Sequence, residues 1–295
     1  MNGEDADMET KGRTAVITGG ASGIGAALAD AMVADGGRVV IVDINKDAAE
    51  AQAAKLGDAA HAIACNVADV AGVEAMAEEA WNWLGGVDLV FANAGISVAR
   101  PLLKASEAEF DVTMGVNLKG VWATAKAFAV RMIEAGHSGH ICLTASEHAL
   151  GLQHPGNGFY TASKHGVLAL GDVFRAELPD SIGMSVLCPG LTATGMPDTS
   201  PAATGMSADE HRSAIARAVM AQGKPAEEVA RHTLDEIARD TFLIVPEPSA
   251  WLAAEKRADE VQKEFARQAP MGPGAMQYHV GAVVERIRKS GQGLL

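Results

Sequence analysis

Seven short runs rich in β-branched and apolar residues alternate with longer alanine-rich stretches of helical period between Thr14 and Val245. Consecutive strands joined by a helix run parallel, because a crossover rather than a tight hairpin links them. The strand candidates are Thr14–Thr18, Arg38–Val42, Ala62–Cys65, Leu89–Ala92, His140–Thr144, Met184–Cys188 and Thr241–Val245. Helical period marks Gly25–Asp35, Val73–Leu84, Leu118–Ala135 and Tyr160–Glu177. Ser106 and Glu109 read as a capping box, and Pro179 stops the helix that ends near Leu178. The expected fold class is α/β, a doubly wound parallel sheet of about seven strands flanked by helices.

One domain is expected over residues 11–248, after a polar, flexible tail at 1–10. Residues 191–207 are rich in Pro, Thr, Ser, Gly and Met without a clear period, and read as a long functional loop. Helical segments follow at Ala208–Ala221 and Pro225–Arg239. A helical C-terminal extension is expected over 249–295, with a charged helix at Ala250–Gln268, a Gly/Pro break at Met271–Gly274 and an amphipathic stretch at Met276–Lys289. That last stretch suits docking on a neighbouring subunit, docking on the loop, or a solvated tail.

The net charge of −13 repels polyanions, and aromatics at 4% offer little to stack on bases, which argues against a nucleic-acid partner. No stretch approaches the run of about 18 apolar residues that a membrane span requires. Residues 1–9 are acidic and lack the basic and apolar regions of a secretory signal, so a cytoplasmic location is expected. Cys65, Cys142 and Cys188 form no Cys-x-x-Cys pair and read as reduced core thiols. His137 and His140 frame a Gly-containing turn rather than a ligand pair, and no metal is expected.

Strand one runs directly into Thr18-Gly19-Gly20-Ala21-Ser22-Gly23-Ile24-Gly25, which opens a helix. Such a turn suits a pyrophosphate, which needs backbone N–H groups at a helix N-terminus and no side chains in the way. Asp43, eighteen residues after Gly25 at the end of strand two, is placed to accept hydrogen bonds from the adenosine ribose hydroxyls. Its charge disfavours a 2′-phosphate and the turn holds no Arg, so NAD is expected over NADP, although Lys46 lies close.

Together with Tyr160 and Lys164, these features resemble the short-chain dehydrogenase/reductase family, in the subgroup with a Thr-Gly-x-x-x-Gly-x-Gly turn, over about Lys11 to Pro248. The likeness runs through Asn93-Ala94-Gly95, Asn117, Ser146, Tyr160-x-x-x-Lys164 and Pro189-Gly190, in the family's order. It implies a Rossmann-like dehydrogenase domain with Asn117, Ser146, Tyr160 and Lys164 as the catalytic group. It also implies cofactor contacts from Gly19, Ser22, Gly23, Ile24, Gly25, Asp43, Ile44, Asn66, Val67, Asn93, Ala94, Gly95, Tyr160, Lys164, Pro189, Gly190 and Thr194. By the same likeness Asn93 would touch the inner ribose region, and Asn117 would hold a water linking Lys164 to solvent. Where the family usually has Asp-Val after strand three, this chain has Asn66-Val67. The family commonly forms tetramers or dimers through the helices at Leu118–Ala135 and Tyr160–Glu177.

Oxidising a secondary alcohol needs a base for the hydroxyl proton, and a free phenol with pKa near 10 is a poor one. Lys164 shares a helix face with Tyr160, so its ammonium is expected to lower the phenol's pKa. Ser146 would donate to the substrate oxygen. Glu147 and His148 follow it and face the expected pocket; with Met196 and Met206 they suggest a medium or bulky hydrophobic alcohol or ketone. A loose likeness to aryl-alcohol Cα-dehydrogenases points the same way. The alternatives are an NADPH-dependent carbonyl reductase and a non-catalytic dinucleotide-sensing protein.

Overall fold

The strand β1 (Thr14–Thr18) is an interior strand of a seven-stranded sheet, and its alternate side chains supply two separate cores. The computed structural model describes residues 10–204 and 210–290. The other strands of this sheet are β2 (Arg38–Asp43), β3 (Ala60–Ala64), β4 (Leu89–Ala92), β5 (Gly139–Thr144), β6 (Ile182–Leu187) and β9 (Leu243–Ile244), in the order β3-β2-β1-β4-β5-β6-β9. Every pairing is parallel. The chain therefore winds outward from β1 to β3, returns to lay β4 on the other side of β1, and winds outward again. The crevice at the carboxyl ends of β1 and β4 is the place where such a sheet binds ligands.

On one face Val16, Val40, Val90, Ile141 and Val186 pack with Met76, Val121 and Phe128, from α3 (Val70–Leu84) and α5 (Val121–Ala135). On the other, Ile17, Ile41, Phe91 and Leu187 pack with Leu28 and Met32 of α1 (Gly23–Ala34) and with Leu234 and Ile237 of α9 (Ala226–Ala238). Helices on both faces explain why the strands read as continuous apolar runs. Each large side chain so buried contributes roughly 1.5–3 kcal/mol. The remaining elements are α2 (Lys46–Leu56), α4 (Glu107–Met114), α6 (Gly158–Glu177), α7 (Met196–Thr204), α8 (Glu210–Met220), α10 (Ala250–Gln268) and α11 (Val280–Lys289). The Ser106–Glu109 capping box forms on α4, and α6 ends at Leu178, just before Pro179.

Two expectations need correction. Residues 191–204 are not an irregular loop: β7 (Thr192–Ala193) pairs with β8 (Lys224–Pro225), and α7 follows. Pro197 occupies the first turn of α7, where the missing N–H costs nothing, so the prolines there hid a helix. Met206 lies outside the described residues. The helix expected from Leu118 instead begins with α4, passes through a π-helical turn at Gly115–Gly120 and continues as α5. No helix among the described residues is long and apolar enough to cross a membrane.

His140 is buried at the start of β5. Its Nε2 lies 2.7 Å from Ser185 Oγ, whose own proton goes to Thr241 O at 2.7 Å. The ring is thus protonated on Nε2, and Nδ1 is left without a partner, 3.8 Å from Asp240 Oδ1. Burial pulls its pKa from 6.5 to about 4. A pKa lower in the folded than in the unfolded chain favours folding fully above the unfolded value of 6.5, and that contribution is lost as pH falls toward 4. Denaturant titrations should therefore show about 2 kcal/mol less stability near pH 5 than near pH 7 from this group. A His140→Gln variant should flatten that slope.

Candidate active site

The turn between β1 and α1 is built to be bare. Gly20 N donates to Val42 O at 3.1 Å, fastening the turn to the end of β2. A Cβ on Gly25 would stand 2.1 Å from Gly19 O, and one on Gly23 would stand 3.0 Å from Thr194 Cγ2. Ser22 holds the N-cap position of α1 without a side-chain capping bond, which leaves first-turn amides open to a ligand. Ile24 packs its side chain against the α1–β2 core. Thr194 Oγ1 is buried with no hydrogen-bond partner beside this turn.

Asp43 reaches back to the same turn: its Oδ2 accepts from Ala21 N at 3.3 Å and its Oδ1 from Asn45 N at 3.0 Å. Ile44 next to it is 48% exposed and offers an apolar shelf. Asn66 closes an Asx turn by accepting from Ala68 N at 3.0 Å, and the Val67 side chain is buried in the core against Gly120, leaving only its backbone for a ligand. An open helix N-terminus, an orphaned hydroxyl and a carboxylate at the end of β2 fit a dinucleotide. Its diphosphate would meet the amides and Thr194, and its adenosine ribose would meet Asp43.

The Asn93 side chain ties three strand ends together: its Nδ2 donates to Thr18 O at 3.1 Å and its Oδ1 accepts from Thr144 Oγ1 at 3.2 Å, and each end keeps a second hydrogen-bonding position. Thr18 Oγ1 in turn accepts from Asn93 N and Ala94 N at 3.0 and 3.1 Å. The Ala94 Cα closes on Gly19, within 3.0 Å of where a Cβ would be. Gly95 leaves open a niche whose missing Cβ would lie 3.4 Å from Lys164 Nζ and 3.6 Å from Asn117 Oδ1. Asn117, on the π-helical turn, is 0% exposed. It accepts from Ile96 N at 2.8 Å and donates to Ile96 O at 2.9 Å and Ser163 Oγ at 3.1 Å. Both of its amide N–H bonds are therefore engaged with protein, and its Oδ1 keeps a second lone pair.

The β5–β6 pairing continues past the strand ends: Ala145 N donates to Leu187 O at 2.7 Å and Glu147 N to Pro189 O at 2.9 Å. That extension sets Ser146 against Cys188 and Pro189. Ser146 accepts from His148 N at 3.3 Å and lies near enough to the Tyr160 phenol to lower its pKa. Lys164, one turn further along α6 and 2% exposed, donates to Thr144 O at 2.8 Å and stands 5.6 Å from the centroid of the Tyr160 ring. Ser146, Tyr160 and Lys164 thus face one cleft beside the glycine turn.

Burial pushes the Tyr160 phenol above its ordinary value; Ser146 opposes this, while Glu147 and Cys188 add to it. Burial also pulls Lys164 from 10.5 to about 8. At about 8 Lys164 is still mostly protonated near pH 7, with its ammonium 5.6 Å from the centroid of the Tyr160 ring. His148 packs edge-on against Tyr160 with ring centroids 5.2 Å apart and lies 2.8 Å from Thr161 Oγ1 through Nδ1. Burial, then His154, His165 and Lys164, brings it from 6.5 to about 4, so it is neutral near pH 7.

Met196, half-buried, opens α7, which is anchored over the β4 loop by Ser97 N donating to Ser200 Oγ at 3.0 Å. Gly151, at φ 136°, meets α10 so closely that a Cβ would fall 2.6 Å from Ala253 O. The C-terminal extension therefore rests on the segment that carries Ser146 and His148. The serine and threonine partners Thr18, Thr144, Ser163 and Ser200 had no sequence signal, because each acts through a neighbour rather than through a motif. Among the described residues no group of His, Cys, Asp or Glu could hold a metal ion, and the three cysteines are free and buried.

Comparison with known proteins agrees with this geometry. Residues 13–204 match the family model described as short chain dehydrogenase. The D-threitol dehydrogenase of Mycolicibacterium smegmatis is 37% identical over 177 residues, covering 59% of this chain and 67% of that protein. The 1-deoxy-11-beta-hydroxypentalenate dehydrogenase of Streptomyces exfoliatus is 32% identical over 269 residues, covering 89% and 93%. A short-chain dehydrogenase/reductase from Burkholderia phymatum, solved in complex with NAD, superposes with a TM-score of 0.82 at 29% identity over 90% of this chain and 99% of that one. The chain belongs to the short-chain dehydrogenase/reductase family.

Proposed function

We propose that the chain is an NAD-dependent oxidoreductase that interconverts a secondary alcohol and a ketone, with Tyr160 as general acid and base. The observation that carries this reading is the convergence of Ser146, Tyr160 and Lys164 on a cleft bounded by the open N-terminus of α1. When bound there, the nicotinamide supplies the hydride acceptor in oxidation and the donor in reduction. The chain's own residues handle the proton. Ser146 donates to the substrate oxygen, and the Tyr160 oxygen takes the hydroxyl proton as the carbinol carbon loses hydride, or returns it to the carbonyl in the reverse direction. Lys164, steered by Thr144 O, presents its remaining N–H bonds to the cleft beside the phenol.

Asp43 supports NAD over NADP, since a carboxylate at the turn accepts from ribose hydroxyls and repels a 2′-phosphate. Lys46 is drawn toward Glu50 at 3.6 Å. The relatives named above act, by their names, on a tetritol and on a hydroxylated pentalenate. Met196 and the apolar Leu102 near Gly158 support a medium or bulky, largely apolar substrate. A groove lined by Leu118, Trp122, Ala169, Leu170 and Val173, between the π-turn, α5 and α6, supports assembly into a homodimer or homotetramer.

Two measurements test the reading. Tyr160→Phe should lower kcat by about 10²–10⁴, the usual worth of a positioned acid/base, while NADH affinity from fluorescence titration stays within about twofold. Undiminished turnover in that variant refutes the assignment. Asp43→Ser should shift the NAD-to-NADP preference toward NADP by roughly tenfold, about 1.4 kcal/mol.

A further inference from the structure

Resting on the proposed reaction, we propose that His148 is a positioning residue that braces the first turn of α6 against the segment after β5, so that the Ser146 hydroxyl and the Tyr160 phenol meet one substrate oxygen. The two groups come from different elements: Ser146 caps the 3-10 turn at Glu147–Leu150, and Tyr160 lies in the first turn of α6. The chain between them does not set their separation. Residues 151–157 form no helix and only the isolated bridge from Asn157 to Arg100, Gly151 and Gly156 take positive φ, and Gln153, His154 and Pro155 are exposed.

His148 spans that gap with three contacts. Its backbone N donates to Ser146 Oγ at 3.3 Å, its ring packs edge-on against Tyr160 with centroids 5.2 Å apart, and its Nδ1 lies 2.8 Å from Thr161 Oγ1. It is 7% exposed, so the ring is held by its surroundings. Lys164 makes the other tie between α6 and β5, through Thr144 O at 2.8 Å. One tie leaves the helix free to pivot; a second, one turn nearer its start, fixes the angle at which the phenol leaves it. A positioned acid or base must come within about 2.6–3.2 Å of the oxygen it serves, and a misplacement of about 1 Å can cost on the order of a hundredfold in rate.

The chemistry of the ring suits a brace. Burial, then His154, His165 and Lys164, holds it neutral near pH 7, so it sets no second cation beside Tyr160. A neutral imidazole still offers Nδ1 to the Thr161 hydroxyl, and its ring fills the space next to the phenol. Phenylalanine would keep the ring and lose the hydrogen bond; asparagine would keep a polar atom near the Nδ1 position and lose the ring. Thr161→Val removes the same hydrogen bond from the other side.

The test has one readout that needs no substrate and one that does. Tyr160 and Tyr278 are the only tyrosines of the chain, so in a Tyr278→Phe background the tyrosinate absorbance of the NAD-loaded protein titrates Tyr160 alone. Ser146 lowers the phenol pKa, while Glu147 and Cys188, which raise it, are left in place. His148→Leu should therefore move the titration to higher pH, Ser146→Ala should do the same, and adding His148→Leu to Ser146→Ala should move it no further. With NAD and 1-phenylethanol or cyclohexanol, His148→Leu should lower kcat by about tenfold or more while KM and NADH affinity stay within about twofold. His148→Phe and Thr161→Val should each lower kcat, their double variant no further than either alone, and His148→Asn should recover part of the loss in His148→Leu. If the Leu variant does not fold by thermal melting, His148→Phe and Thr161→Val carry both readouts. An unmoved titration, additive losses, or a loss confined to KM overturns the proposal. The oxidoreductase reading fails separately, if NADH does not bind or if turnover persists in Tyr160→Phe.

Discussion

A single line of hydrogen bonds across three strand ends holds the cleft together. Asn93 donates to Thr18 O on β1 and accepts from Thr144 Oγ1 on β5, and Thr144 O accepts from the Lys164 ammonium. The glycine turn, the switch point of the sheet and the cation beside the phenol are thereby placed relative to one another by one amide and one threonine. Two crossover connections meet at this junction, so it sits where the backbone groups of parallel strands would otherwise splay apart. Side chains satisfy backbone groups that the strand pairing leaves open at this junction.

Burial sets the electrical character of the site more than pairing does. Lys164 is lowered, Tyr160 raised and His148 neutralised, and in each case desolvation is the first cause. Near pH 7 His148 is neutral and the Tyr160 phenol protonated, while Lys164, at about 8, is the group nearest its titration. The hydroxyl of Thr194 stands out by contrast, buried beside the glycine turn without a hydrogen-bond partner.

Much of the fold was legible because its causes are local. β-Branched runs such as Arg38-Val39-Val40-Ile41-Val42 extend whatever surrounds them, and the Ser106 capping box specifies a helix start by its own hydrogen bonds. What escaped notice depends on tertiary partners. No residue in Gly115–Gly120 marks a π-helical turn, which exists because Asn117 is drawn inward to the Ile96 backbone. Pro197 disguised α7, although a helix tolerates proline in its first turn. The strand-tying bonds of Asn93 and the burial of Tyr160 and Lys164 were hidden for a related reason. Motif spacing brings groups together but carries no information about how much water remains around them.

The π-helical turn has a consequence for how this chain tolerates change in length. Each residue of a helix advances the azimuth by roughly 100°, so the wider turn sets the relation between the face that carries Asn117 and the face that packs on the sheet through Phe128 and Met132. Deleting one amino acid there would restore ordinary winding and rotate the amide off Ile96 while leaving the apolar seam of α5 intact. Drift that spares packing can thus still erase the cleft, and descendants of this chain are bound to keep the count of residues between Met114 and Val121.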